Sequence, residues 1–330
     1  MQNGTDRPGT LLDVRGLTTR FATDRGLVHA VEDISFTIQP GEAVGLVGES
    51  GSGKSTVLRS LLGLVKPPGR VVSGEVFFRG RDLRALPDDE LRRIRGGQIS
   101  LIFQDPVNAL NPSLTIGDQL RRMLRLHRAT VPPDGFDREI MRMLARVGID
   151  ATGKLNGYAF NYSQGQLQRI MIAAACLAGT PSLLLADEPT TSLDVTIEAQ
   201  VLQLLRDLRQ ELGLALVLVT HNLALVSELC DRVLVMYAGR LVEDGDVYSV
   251  FEAPQHPYTR QLLRALPRFP ASGERLEAIT GSVPDLVSPS PGCSFAPRCE
   301  QYLGTVCDTK VPPLFDAGNA HQRAACHLYT

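Results

Sequence analysis

Gly48-Glu49-Ser50-Gly51-Ser52-Gly53-Lys54-Ser55-Thr56 is the stretch whose reading decides the fold. It follows an apolar run, Ala43-Val44-Gly45-Leu46-Val47, and opens onto Val57-Leu58-Arg59-Ser60-Leu61-Leu62. Strand, glycine-rich turn and helix is the context a phosphate-binding loop of the form G-x-x-x-x-G-K-[ST] requires. Glycines at 48, 51 and 53 let successive backbone N–H groups point at one centre, and the helix that starts near Lys54 adds its positive end there. Lys54 suits the β- and γ-phosphates of a nucleotide, and the Ser55 hydroxyl suits a Mg²⁺ ion.

The 330 residues suffice for a large core plus a smaller unit, and the formal net charge of -2 gives no basic field for nucleic acid. No run of about 18 apolar residues spans a bilayer. Met1 to Pro8 lack the apolar centre of a signal peptide, so the expected compartment is the cytoplasm, where thiols stay reduced. Six cysteines are unevenly spread: Cys176 and Cys230 have helix-like apolar surroundings, while Cys293, Cys299, Cys307 and Cys326 crowd the C-terminal tail.

Outward from the loop, Leu12–Leu17 and Val28–Ile38 alternate apolar and polar residues as antiparallel strands do. Phe21, expected in a loop between them, reads equally as a half-buried aromatic or as a platform for a nucleobase. Strand character resumes at Gly74–Phe78 and at Ile99–Phe103, which ends at Gln104. From Asn111 to Gly157 the pattern is helical, divided at Pro132-Pro133-Asp134-Gly135, and reads as an inserted helical subdomain. Tyr162-Ser163-Gln164-Gly165-Gln166 leads into a helix with Leu167, Ile170, Met171 and Ala174 on one stripe. Leu183–Ala186 fits a strand buried on both faces, ending in the carboxylates Asp187 and Glu188. The next helix is expected to bury Val201, Leu204, Leu208 and Leu212; a strand, Leu214–Val219, then ends at Thr220-His221. Arg232–Tyr237 and Arg240–Glu243 form a hairpin about Ala238-Gly239, and prolines multiply from Ala253 onward.

Together these pieces resemble the ATPase subunit of an ATP-binding-cassette (ABC) transporter over nearly the whole chain. Gly48–Thr56 is similar to the Walker A loop, Leu183–Glu188 to Walker B, and Thr191-Ser192-Leu193-Asp194 to the D-loop. Gln104 and His221 match the Q-loop and the switch histidine. The resemblance implies an α/β fold: a RecA-like P-loop ATPase core with an antiparallel β subdomain, a helical subdomain at about 105–180, and a small irregular C-terminal extension. The cassette is expected over 1–251 and the extension over 252–330. It further implies ATP contacts from Phe21, Gly48, Ser50, Gly51, Gly53, Lys54, Ser55, Thr56 and Gln104, with Mg²⁺ on Ser55, Gln104 and Asp187. Glu188 is expected to act as general base, with His221 at the γ-phosphate.

The family signature reads LSGGQ, whereas this chain has Tyr162-Ser163-Gln164-Gly165-Gln166. In the family the signature closes over the ATP of a second subunit. Ser163, Gly165 and Gln166 retain the pattern, but Gln164 adds bulk and removes a glycine's backbone freedom. The expectation is a heterodimer with a second, homologous ATPase and one degenerate site.

Gln255-His256-Pro257-Tyr258-Thr259, Leu262-Leu263, Pro267 and Gly292–Cys299 are similar to the C-terminal extension of dipeptide and oligopeptide importer ATPases. That implies energised import of a small solute, with two transmembrane permease subunits and, indirectly, an extracytoplasmic solute-binding protein. The subunit would be peripheral at the cytoplasmic face of the membrane, with no nucleic-acid partner. The four tail cysteines follow C-x5-C-x7-C-x18-C. Some importers of this family carry an iron–sulfur cluster on these cysteines, so a [4Fe–4S] cluster is expected ahead of Zn²⁺, with unliganded thiols the remaining reading. The tail is expected to need such cross-links because it lacks periodic apolar residues. A soluble cassette ATPase acting on nucleic acid or ribosomes is the alternative, but neither a second cassette nor a coiled-coil insertion is present. A P-loop kinase or GTPase would leave the signature and D-loop unexplained.

Overall fold

The computed structural model describes residues 9–128, 131–150, 155–191, 193–265, 279–318 and 321–330. Met1–Pro8, Ser192 of the D-loop and Pro267 of the tail lie outside the described residues. The chain forms two compact units, residues 1–84 with 219–330, and residues 85–218.

In the first unit β1 (Leu12–Thr23) and β2 (Gly26–Ile38) form a long antiparallel hairpin, in the register Leu12↔Ile38 and Phe21↔Val28. They are followed by β3 (Ala43–Val47), α1 (Lys54–Leu61), β4 (Gly69–Phe78) and the short β5 (Arg81–Asp82). An antiparallel sheet has the order β2-β1-β4-β5. Phe21 therefore sits within β1, not in a loop, because the pairing with β2 continues through Ala22↔Leu27 to Thr23↔Gly26 before the chain turns.

The second unit begins with α2 (Asp88–Ile94), β6 (Ile99–Ile102), the single-turn α3 (Pro106–Ala109) and α4 (Ile116–His127). A 3-10 turn at Pro133–Gly135 precedes α5 (Phe136–Arg146), as the Pro-Pro-Asp-Gly break requires. Arg121 ties α4 to α5 by pairing with Asp137 (2.6 Å) while also reaching Asp118 (3.0 Å). α6 (Gln164–Leu177) buries Leu167, Ile170, Met171 and Ala174, the expected stripe. β7 (Leu183–Asp187) and β8 (Ala215–Val219) are buried at every residue, which is why they read as unbroken apolar runs. β6 and β7 are parallel. Between β7 and β8, α7 (Val195–Leu212) buries Val201, Leu202, Leu205 and Leu208. The expected stripe through Leu204 and Leu212 is corrected: Leu212 is exposed, because the buried face turns through Leu202 and Leu205.

The first unit resumes with α8 (Leu223–Leu229), β9 (Arg232–Tyr237), β10 (Arg240–Asp246), α9 (Val247–Glu252) and α10 (Pro257–Arg264). The tail adds α11 (Thr305–Thr309), β11 (Phe315–Asp316) and β12 (Arg323–Ala324). β3 is parallel to β9; β10 pairs antiparallel with β9 on one side and with β12 on the other. Thus residues beyond 252 complete the sheet of the first unit.

That tail is held by packing. Tyr237, Tyr258 and Phe295 form a buried aromatic cluster with ring centroids 4.6–5.4 Å apart. The carboxylate of Glu243, 0% exposed, accepts from the backbone N–H of Gln255 (2.7 Å) and His256 (2.9 Å) and from the Gln322 amide (2.8 Å). Such a network offsets the cost of burying a carboxylate, although burial still raises its pKa. Among the described residues no helix is long and apolar enough to cross a membrane.

Candidate functional site

In the first unit the buried β3 delivers the chain to Gly48, and the loop reaches α1 through three glycines of positive φ: 146° at Gly48, 80° at Gly51 and 103° at Gly53. A Cβ on Gly48 would stand 2.1 Å from the Met236 carbonyl oxygen, and one on Gly53 2.2 Å from that of Ala30. Both walls are backbone and cannot yield. Gly239 N–H donates to the Ser52 carbonyl at 3.0 Å, so the β9–β10 turn fixes the loop from the same side. Lys54 is buried, and its Nζ donates to the carbonyls of Gly48 (2.8 Å) and Glu49 (3.0 Å). Ser55 and Thr56 follow in the first turn of α1, which carries no acidic residue to oppose its positive end. Ser50 and Gly51 are exposed at the tip. A tightly wound loop with a buried lysine and an unopposed helix N-terminus fits a nucleoside triphosphate, and the Ser55 hydroxyl fits its Mg²⁺.

His221, also in the first unit, is exposed just after Thr220, whose N–H reaches the Leu46 carbonyl at 3.4 Å. Phe21 stays half exposed while its ring covers Gly69, where a Cβ would meet the ring at 2.3 Å.

In the second unit Gln104 and Thr191 converge on one oxygen of Glu188, donating to Oε2 from Nε2 at 3.2 Å and from Oγ1 at 2.8 Å. Asp187, buried at the end of β7, precedes it. Glu188 takes a φ of 47°, a strained setting for a residue with a side chain, held in part by the Thr191 N–H donating to its carbonyl (3.2 Å). The only sequence signal for Thr191 as a partner of Glu188 is its place three residues further on, in the D-loop run.

The signature stretch caps α6. Ser163 Oγ accepts from the Gln166 N–H (3.3 Å), and the Gln166 side chain accepts from the Ser163 N–H (3.0 Å), a reciprocal capping box. Gln164 is the first helical residue, exposed and without positive φ, so no glycine is required there by the backbone. The expected loss of backbone freedom is corrected to a change of side-chain bulk alone. Asp194 caps α7 by accepting from Ile197 N–H at 2.9 Å. Tyr162–Gln166, Arg169 and Asp194 line a cavity of about 730 Å³.

The iron–sulfur expectation is overturned, and its zinc alternative with it. Among the described residues no group of three or more His, Cys, Asp or Glu side chains is placed to hold a metal ion. Cys293 and Cys307 meet through backbone, the Cys293 N–H donating to the Cys307 carbonyl at 2.7 Å. Burial pushes the Cys293 thiol up to about 11 and raises those of Cys299 and Cys326, with neighbouring tail cysteines adding to the effect. Arg298, one residue before Cys299, pairs with the Glu49 carboxylate. The cross-links assumed necessary are supplied by the aromatic cluster and the Glu243 network.

This loop between β3 and α1, with the carboxylate pair at the end of β7, defines a P-loop ATPase of the ATP-binding-cassette class. The profile of the ABC transporter family matches residues 31–191, and that of the oligopeptide/dipeptide transporter C-terminal region matches residues 242–307. A putative peptide import ATP-binding protein of Brucella abortus is 48% identical over 88% of this chain and 87% of its own. The oligopeptide transport ATP-binding protein OppD of Escherichia coli is 45% identical over 92% and 89%. The ATP-binding cassette MJ0796, solved as a dimer in a post-hydrolysis state with ADP and Pi, is 28% identical with a TM-score of 0.64, covering 72% of this chain and 98% of that one. The chain belongs to the ABC transporter family and is an ABC-type ATPase.

Proposed function

We propose that this chain is the ATP-hydrolysing subunit that energises import of a small solute, di- or oligopeptide, through a membrane ABC transporter. The observation that carries the solute class is the match of residues 242–307 to an oligopeptide/dipeptide transporter C-terminal region, in one chain with the cassette. The names of the relatives, peptide import and oligopeptide transport ATP-binding proteins, support the same reading. The partners would be two transmembrane permease subunits, a second homologous ATPase and, indirectly, an extracytoplasmic solute-binding protein. The subunit would lie peripherally at the cytoplasmic face, with the cassette over 1–251 and the extension over 252–330.

We assign the phosphate chain of ATP to the amides of Gly48–Gly53, to Lys54 and to Thr56, and Mg²⁺ to Ser55, Gln104 and Asp187. Bound Mg²⁺ supplies charge neutralisation at the phosphates. Glu188 deprotonates and orients the attacking water; hydrogen bonds from Gln104 and Thr191 orient its carboxylate. His221 acts at the γ-phosphate, Phe21 carries the base, and Ser163, Gln164, Gly165 and Gln166 face the ATP of the second ATPase. Gln164 makes that site the weaker one.

A tagged chain expressed in its native host and extracted in mild detergent should retain two integral membrane subunits and a second ATPase. Vesicles holding that assembly should take up peptide only with ATP. Recovery with ribosomes or nucleic acid and no membrane subunit would establish the soluble alternative instead.

A further inference from the structure

Glu49, the second residue of the phosphate-binding loop, is gripped by the C-terminal tail. Its N–H donates to the Tyr258 hydroxyl at 2.8 Å, a residue of α10. Its carboxylate receives both guanidinium ends of Arg298, at 2.8 and 3.0 Å. Arg298 lies in a 3-10 turn, Ala296–Arg298, with 5% of its side chain exposed. Its Nε donates to the Thr280 carbonyl (2.8 Å), and Nη1 also reaches the Tyr237 hydroxyl (3.1 Å). The hydrogen bonds from Arg298 to Glu49 hold the guanidinium firmly charged. Tyr237, Tyr258 and Phe295 pack into one buried cluster behind this contact.

Two physical consequences follow from that grip. A carboxylate in a loop built for polyphosphate repels its ligand unless a cation neutralises it, and a planar fork meeting a carboxylate at both oxygens does so while fixing its direction. The Glu49 carbonyl is also an acceptor of Lys54 Nζ, so the conformation at residue 49 bears directly on the lysine. We propose that Arg298, with Tyr258, is a positioning residue of the nucleotide site: the tail neutralises and orients Glu49, and thereby sets the affinity of the phosphate loop for ATP. This rests on ATP binding at Lys54 but not on the identity of the transported solute.

The test is a double-mutant cycle on the full-length chain, measuring the Kd for MgATP and, separately, the Tm without nucleotide. Arg298→Gln should raise the Kd by roughly tenfold or more, as loss of a buried charge-assisted pair does when the remaining carboxylate faces the ligand. Glu49→Gln in the same chain removes the uncompensated charge and should recover most of that loss. In the transport assembly the single variant should raise KM for ATP more than it lowers kcat. A purely structural role would lower the Tm of the single and double variants alike and leave the Kd of both at the wild-type value, which would overturn the proposal. A double variant as weak for MgATP as Arg298→Gln alone would also overturn it. A wild-type chain that binds no MgATP would remove the phosphate-loop assignment itself, and this one with it.

Discussion

At the scale of single residues, the chemistry assigned here divides cleanly between binding and turnover. Lys54 is buried within the loop, whereas Glu188 is held by Gln104 and Thr191 in a strained backbone setting after β7. Glu188→Gln keeps the shape and both donors' partner oxygen but removes the base. We expect ATP-dependent thermal stabilisation to persist and steady-state hydrolysis by the assembly to fall by about 10²–10⁴. Lys54→Ala should do the reverse at the first step, abolishing the stabilisation by ATP. Hydrolysis near the wild-type rate in Glu188→Gln would remove the general-base assignment.

At the scale of elements, the junction of β10 and α10 makes a pH-dependent contribution. His256 caps α10, its Nδ1 accepting from the Tyr258 N–H at 3.1 Å, and burial pushes its pKa down from 6.5 to about 3, with the charge of Arg260 adding to the effect. A base whose folded pKa is depressed binds its proton more readily when unfolded. Its contribution is therefore complete above pH 6.5 and is lost as the pH falls toward 3. Glu243, raised by burial, works with the opposite sign, so the comparison must keep it intact. His256→Asn retains an oxygen acceptor for the cap without a titrating group. The stability difference between wild type and variant should narrow below pH 6.5 with a slope of up to about 1.4 kcal/mol per pH unit, read by denaturant unfolding at several pH values. A difference independent of pH would show that the imidazole titrates normally in the folded chain.

At the scale of the whole molecule, two expectations concern what the chain needs beyond its cassette. The tail supplies β12 to the edge of β10, the partners of the buried Glu243 and the cation for Glu49. A chain ending at Phe251 would expose that strand edge and leave a buried carboxylate short of donors. We expect it to aggregate in light scattering and to lose cooperative thermal unfolding; a monomeric, cooperatively folded product would show that the cassette is autonomous at that boundary. The second expectation concerns pairing. With Gln164 in this chain's signature, the ATP on the second ATPase should be hydrolysed less, so Glu188→Gln should cost the assembly more activity than the same change in that second subunit. Equal losses, or a fully active homodimer of this chain, would defeat the asymmetry.

The sequence by itself determined the phosphate-binding loop, the buried strands β7 and β8, the helix after the signature and the order of the motifs. Each depends on local backbone demands or on burial along one contiguous run, and both leave their mark in neighbouring residues. It misplaced what depends on a third dimension. The face α7 buries is set by what packs on it, so Leu202 and Leu205 displaced Leu204 and Leu212. Four cysteines at suggestive spacing do not form a group placed to hold a metal ion, because spacing along the chain does not set ligand geometry in space. The tail looked too irregular to pack because its aromatic partner Tyr237 belongs to β9, outside the tail. Above all, Glu49 and Arg298 stand 249 residues apart, and no periodicity or motif links them. Only the fold of the first unit brings the tail's guanidinium to the loop's carboxylate, since charge pairing is decided by distance in space and not along the chain.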